Sequence, residues 1–162
     1  MKRAKNALYF IPALLLIVID QLVKLWVRGN IPLGEARTFL PGLLDLTYWQ
    51  NTGAAFSLFS AHTWVLTLIS VVAAAAIIVV MVKPLFTKPL GQIALALVLG
   101  GAVGNLIDRA LLGYVTDMFQ TTFMNFAVFN VADMGVVVGG ILVCVYVLVF
   151  YDKQNGDKHA AL

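Results

Sequence analysis

The residues best suited to chemistry are two aspartates, Asp117 and Asp133, each set among aromatic and aliphatic neighbours. Two acids brought together in such surroundings cannot both ionise easily. One charged and one protonated carboxyl sharing a water is the arrangement of an aspartic hydrolase. The charged acid takes a proton from the water while the other protonates the peptide carbonyl oxygen, and the roles reverse as the amine leaves. The competing structural reading is that each acid only caps a helix or pairs with Arg109. Other hydrolytic chemistries lack parts: the histidines are His62 and His159, there is no H-E-x-x-H run, and Cys144 is the single cysteine. A Ser57–Lys24 pair remains open on composition alone.

Further polar residues stand in otherwise apolar stretches, where an ionisable group costs about 2.5–3.5 kcal/mol on insertion scales and usually serves function. Asp20 and Lys24 are four apart and can pair on one helix face, and Asn105 and Arg109 share a face by the same spacing. Asp108 sits beside them, and Asn130 precedes Asp133. Gly100-x-x-x-Gly104 and Gly135-x-x-x-Gly139 read as close-packing positions between helices.

The elements that must hold these groups follow from composition. Of 162 residues, 61% are hydrophobic and 12% charged, far too few charges for a water-facing surface. That balance excludes a disordered chain, a disulfide-stapled module and an ordinary cytosolic enzyme. It leaves an all-α membrane protein of a single domain, with four apolar stretches at about 8–27, 63–82, 90–110 and 131–151 long enough to span a bilayer. Seven basic residues (Lys2, Arg3, Lys5, Lys83, Lys88, Lys153, Lys158) lie on one side, against Arg28 and Arg37 opposite. The positive-inside rule then puts both termini in the cytoplasm. The basic residues sit at membrane edges rather than in a run with interleaved aromatics, so nucleic acid is not the expected partner.

With that topology the polar residues gather in the outer half of the bilayer. The first outer loop, 28–62, contains Leu44-Asp45-Leu46-Thr47-Tyr48, whose alternation predicts a strand, and Gly53 breaks the run. Segment 51–59 is expected to clamp substrate, with Phe56 and Phe59 entering the interface. The second outer loop, about 112–130, holds Asp117 and the aromatics Phe119, Phe123, Phe126 and Phe129. On spacing alone a membrane hydrolase and a small proton-coupled transporter or channel subunit stand nearly level, since both need buried acids. A transporter should carry its acids at the midplane, often in inverted repeats. Neither is visible here, which favours hydrolysis; a catalytically silent binder of exported proteins is a third reading.

Asp20-Gln21-Leu22-Val23-Lys24, Asn51-Thr52-Gly53-Ala54-Ala55-Phe56, Gly104-Asn105-Leu106-Ile107-Asp108-Arg109, Val115-Thr116-Asp117 and Phe129-Asn130-Val131-Ala132-Asp133 together resemble the bacterial lipoprotein signal peptidases (signal peptidase II). The resemblance runs in order over nearly the whole chain. It implies four transmembrane helices with a small extracytoplasmic β-sheet cradle, and a catalytic pair at Asp117 and Asp133 with no metal or organic cofactor. It also implies a site lined by Asp20, Lys24, Asn51, Gly53, Asn105, Arg109 and Asn130, with Asn130 and Arg109 holding the substrate backbone or the aspartates. The implied substrate is a prolipoprotein cleaved just before a diacylglyceryl-modified cysteine, met at the outer face of the bacterial cytoplasmic membrane by a monomer in contact with membrane lipid. Two positions depart from the family pattern: Met134 stands where serine is usual, and Ala127 where proline is common.

Overall fold

A computed structural model describes residues 7–53, 63–83, 85–86 and 88–151. The clamp segment expected at 51–59 is therefore described only as far as Gly53, and Ser57 and both histidines lie outside the described residues.

Four helices are long and apolar enough to cross a membrane: α1 Leu8–Asn30, α2 Thr63–Val82, α3 Pro89–Leu112 and α4 Val131–Phe150. The chain is a multi-pass membrane protein. Its helices turn leucine, isoleucine and valine outward, as at Leu22, Leu25, Val72 and Ile141, where lipid rather than water makes such exposure favourable. Against the expected bounds α2 coincides and α4 stops one residue short, whereas α1 and α3 run one to three residues further because their terminal turns still complete helical hydrogen bonds. Thus α1 continues past Val27 through Arg28 to Asn30.

The most enclosed helix is α3, against which α1, α2 and α4 all pack. Pro89 opens it at a position whose N–H needs no helical partner. Gly113, at φ 80°, closes it in the left-handed conformation that glycine adopts without strain. Close approach along α3 depends on missing side chains. A Cβ on Gly100 would meet the Ala13 carbonyl oxygen at 2.8 Å, and one on Gly104 would meet the Asp20 carboxylate at 2.7 Å. On α4, Gly139 lies against the Ala94 carbonyl oxygen in the same way. The expectation that these glycines serve packing holds.

A three-stranded antiparallel sheet caps the end where α1 and α3 finish and α4 begins, in the order β1 Ala36–Leu40, β2 Leu44–Asn51, β3 Val115–Thr121. The predicted strand at Leu44–Tyr48 is there and runs on to Asn51. Asp117, expected in a loop, instead stands in β3 opposite Trp49. The strand escaped the sequence pattern because its first four residues are all buried, so no apolar–polar alternation marks it. Val27, Ile31, Tyr48 and Met118 form the core that seats the sheet on α1.

Candidate active site

Strand alternation aims the first aspartate. Along β3, Thr116 and Met118 turn back to α1, where Arg28 Nη1 donates to Thr116 Oγ1 at 2.8 Å. Val115 and Asp117 therefore face the other way, into a cavity of about 510 Å³. The second aspartate is aimed by a helix start. Asn130 is the N-cap of α4: its Oδ1 accepts from the Asp133 N–H at 2.9 Å, while Asp133 Oδ2 accepts from the Asn130 N–H at 3.1 Å. This reciprocal capping box satisfies two otherwise unpaired backbone donors and fixes the Asp133 side chain at the helix end that favours negative charge.

The cavity brings Asn51, Asn105, Arg109, Asp117 and Asp133 together from four elements, walled by Val115, Phe126, Phe129, Met134 and Val137. Asparagine amides surround the acids. Asn51 Nδ2 donates to Asp117 Oδ2 at 3.0 Å, Asn130 Nδ2 to Asp117 Oδ1 at 2.6 Å, and Asn105 Nδ2 to Asp133 Oδ1 at 2.7 Å. Each of the four carboxyl oxygens thus accepts one N–H, leaving further lone pairs for the cavity. Burial, reinforced by the charge of Asp133, pushes Asp117 up to about 7, even though Asn51 and Asn130 favour its ionised form. One acid that keeps its proton near neutrality beside another acid is what water activation by a carboxyl pair requires.

Behind this shell lies a polar layer that the cavity does not reach. Lys24, fully buried, lies 2.8 Å from Asp20 Oδ2 and 3.4 Å from Asp108 Oδ2, and donates to Asn105 Oδ1 at 2.9 Å. The i,i+4 pairing of Asp20 with Lys24 is as expected. Lining of the cavity by these two is not: Asp20 Oδ1 accepts the Ala132 N–H at 2.9 Å, tying α1 to the first turn of α4. Asp108 also faces away from the cavity. Its Oδ2 accepts the Thr116 N–H at 2.9 Å, and Arg28 Nη1 stands 3.7 Å from its Oδ1, so it anchors β3 to the helices. Gln21, which donates to Asp20, Asp108 and the Gly104 carbonyl, and Arg28 complete this layer. Spacing gave no role to either, because a glutamine carries no charge and Arg28 reads as a loop cation.

Gly53, expected to line the site, is buried and does not line the cavity. Its N–H donates to Asn51 Oδ1 at 2.9 Å, and its carbonyl accepts from Arg109 Nη2 at 3.4 Å. Arg109 lines the cavity, and its Nε is buried with no hydrogen-bond partner among the described residues. Met134, half exposed, and Ala127 both line the cavity, and the capping box forms with methionine following Asp133. The aromatic cluster closes over β3, with the Phe119 and Phe129 rings 5.5 Å apart and Phe126 edge-on to Phe129 at 6.1 Å. Among the described residues, no group of three or more His, Cys, Asp or Glu is placed to hold a metal ion.

Residues 12–149 match a family model described as Signal peptidase (SPase) II. Among curated proteins, the chain is 44% identical over 154 residues to the lipoprotein signal peptidase of Lactobacillus johnsonii, covering 95% of this chain and all of that one. It is 42% identical over 150 residues to that of Enterococcus faecalis, covering 93% and 92%. A solved structure described as a "Bacterial membrane enzyme structure by the in meso method" superposes with a TM-score of 0.82 at 27% identity, covering 92% of this chain and 91% of that one. The curated relatives are named as peptidases, and the transporter reading finds no support among them.

Proposed function

The chain belongs to the signal peptidase II family of membrane peptidases, whose members remove signal peptides from prolipoproteins, and we propose that it hydrolyses the peptide bond with Asp117 and Asp133 as a water-activating pair. The carrying observation is that Asn130 hydrogen-bonds both acids at the wall of one apolar cavity. Asp133, ionised and held by two N–H donors, takes a proton from a water between the acids. The oxygen of that water attacks the carbonyl carbon of the scissile bond. Asp117, which holds its proton to about 7, gives it to the carbonyl oxygen. In the tetrahedral intermediate the C–N bond then breaks, the amine leaves with the proton that Asp133 took, and the new carboxyl group returns one to Asp117.

Apolar walls around a polar floor suit a substrate whose lipid stays in the bilayer while its peptide meets the acids. That substrate is a precursor carrying a diacylglyceryl-modified cysteine, cut on the N-terminal side of that residue. Lys83 and Lys88 lie at the end of the bundle opposite the sheet, which supports a cytoplasmic assignment for that end and an extracytoplasmic one for the site, in the cytoplasmic membrane of a bacterium. Contact with membrane lipid and a monomeric state complete the reading. Cleavage of a lipidated precursor, compared with the same precursor lacking lipid, tests it. Wild-type protein should cut the first and spare the second, whereas Asp117→Asn and Asp133→Asn should cut neither while remaining folded. Near-normal turnover by either variant would remove the pair from the chemistry.

A further inference from the structure

We infer that Lys24 is a positioning residue: it fixes which way the Asn105 amide points, and through that amide it turns a hydrogen-bond donor toward Asp133 and supports the Asn130 amide that donates to Asp117. The inference rests on the aspartic-pair reading and adds how the pair is held in one polarity.

An asparagine amide has two ends of nearly equal shape, and only its surroundings choose between them. At Asn105 the choice is made by the one neighbour that can only donate. Lys24 Nζ is an ammonium with three hydrogens and no lone pair, and its three acceptors are Asp20 Oδ2 at 2.8 Å, Asn105 Oδ1 at 2.9 Å and Asp108 Oδ2 at 3.4 Å. The atom of Asn105 that faces it must therefore be the oxygen. The NH₂ group is then directed to Asp133 Oδ1 at 2.7 Å. The same oxygen accepts one hydrogen of Asn130 Nδ2 at 3.1 Å, and that nitrogen's second hydrogen reaches Asp117 Oδ1 at 2.6 Å. A half-turn of the Asn105 amide would set NH₂ against the ammonium and oxygen against the Asp133 carboxylate, and would cost Asn130 Nδ2 one of its two acceptors, while the Asn130 oxygen stays held by the Asp133 N–H. Polarity set at Lys24 thus reaches Asp133 through Asn105 and, together with the α4 cap, supports the Asn130 amide that donates to Asp117.

Lys24 touches neither aspartate and does not line the cavity, so its simpler role would be to neutralise Asp20 and Asp108. A double-mutant cycle on lipidated precursor separates the two roles. Lys24→Gln should lower kcat by about tenfold or more with KM within about twofold, because geometry at the acids is disturbed and the apolar binding walls are not. Asn105→Ala should do the same. If Lys24 acts through Asn105, adding Lys24→Gln to Asn105→Ala should lower kcat by no more than about twofold further. Losses that multiply, or a change confined to KM, would overturn the inference.

Should Lys24→Gln fail to give a melting transition, Asn105→Asp decides. It keeps an acceptor for Lys24 but loses the donor to Asp133. The charged groups around it are Asp20, Lys24 and Arg28 of α1, Asp108 and Arg109 of α3, Asp117 of β3 and Asp133 of α4. Its turnover relative to wild type should be low at neutral pH and rise as pH falls, when the introduced carboxyl gains an O–H to donate. A ratio flat with pH would overturn the inference. Asp117→Asn and Asp133→Asn run alongside: turnover in either sinks the aspartic reading, whereas inactive controls with multiplying losses sink only the role of Lys24.

Discussion

Asn130 and Asp133 hold one another by two reciprocal hydrogen bonds, 2.9 Å from the Asp133 N–H to Asn130 Oδ1 and 3.1 Å from the Asn130 N–H to Asp133 Oδ2. A cap and an active-site support are therefore the same residue. The two tasks use different ends of it: the oxygen caps, and the NH₂ group donates to Asp117.

Substitutions at Asn130 should separate these tasks. Asn130→Ala loses both and should cost about 1 kcal/mol of stability, lowering Tm by several degrees. Asn130→Asp keeps a cap of equal quality and should melt closer to wild type. Both should lose turnover by about two- to tenfold, the effect of one hydrogen bond between neutral groups. Melting and cleavage assays on the same detergent-solubilised preparations check the split. Normal turnover in Asn130→Asp would show that the donor to Asp117 is dispensable.

The acid held near neutrality sets a pH dependence. Burial first, and then the charge of Asp133, push Asp117 up to about 7. The proposed chemistry needs its proton, so kcat/KM, which reports the free enzyme, should fall as pH rises through about 7. Asn51 donates to Asp117 Oδ2 and so favours the charged form. Its removal in Asn51→Ala should move the decline to higher pH by about half to one unit, the worth of one such hydrogen bond. The position of the limb is what matters, whatever happens to its height. A shift to lower pH would contradict the sign.

Much of this site was legible because charge is costly among apolar residues, so Asp133 stands out at the start of its span and Asp117 in its aromatic outer segment. What spacing could not settle was rotation about the helix axis. On α3, Asn105 and Asp108 lie only about 60° apart around the helix, yet the first faces the cavity and the second faces α1 and β3. Sequence groups both into one site; packing divides them. Strand β1 was hidden for the opposite reason to β3, since all five of its residues are exposed and no buried face imposes a pattern. Arg28 looked like a topology marker until the fold placed Thr116 and Asp108 within its reach.

Helix contact should be as sensitive as the acids themselves. A side chain at Gly104 would strike the Asp20 carboxylate and approach the Ala132 Cβ at 3.2 Å, displacing the group that pairs with Lys24 and caps Ala132. Gly104→Val should cost about 1–3 kcal/mol, the usual effect of overpacking, and turnover should fall with it. A Cβ added at Gly140 would meet nothing within 4 Å among the described residues, so Gly140→Ala should leave Tm and cleavage near wild type. Equal Tm values for the two variants would show that the α1–α3 contact yields more readily than its geometry implies.

Asp108 allows a last separation, between anchoring the sheet and performing the chemistry. It accepts the Thr116 N–H, lies between Lys24 and Arg28, and points away from the cavity. Asp108→Asn keeps the shape and an acceptor but leaves the two cations short of one negative charge. Removing one partner of a buried ion pair typically costs about 3–5 kcal/mol; the remaining Asp20–Lys24 pair and the partial exposure of Arg28 place the expected loss at or below the lower end of that range. Because Thr116 precedes Asp117, loosening its anchor should let β3 shift and weaken activity through the placement of Asp117 rather than through proton transfer. The expected pattern is a lowered Tm and reduced kcat, with the fall of kcat/KM still centred near pH 7. A kcat lost entirely at unchanged Tm would instead make Asp108 a participant in the reaction.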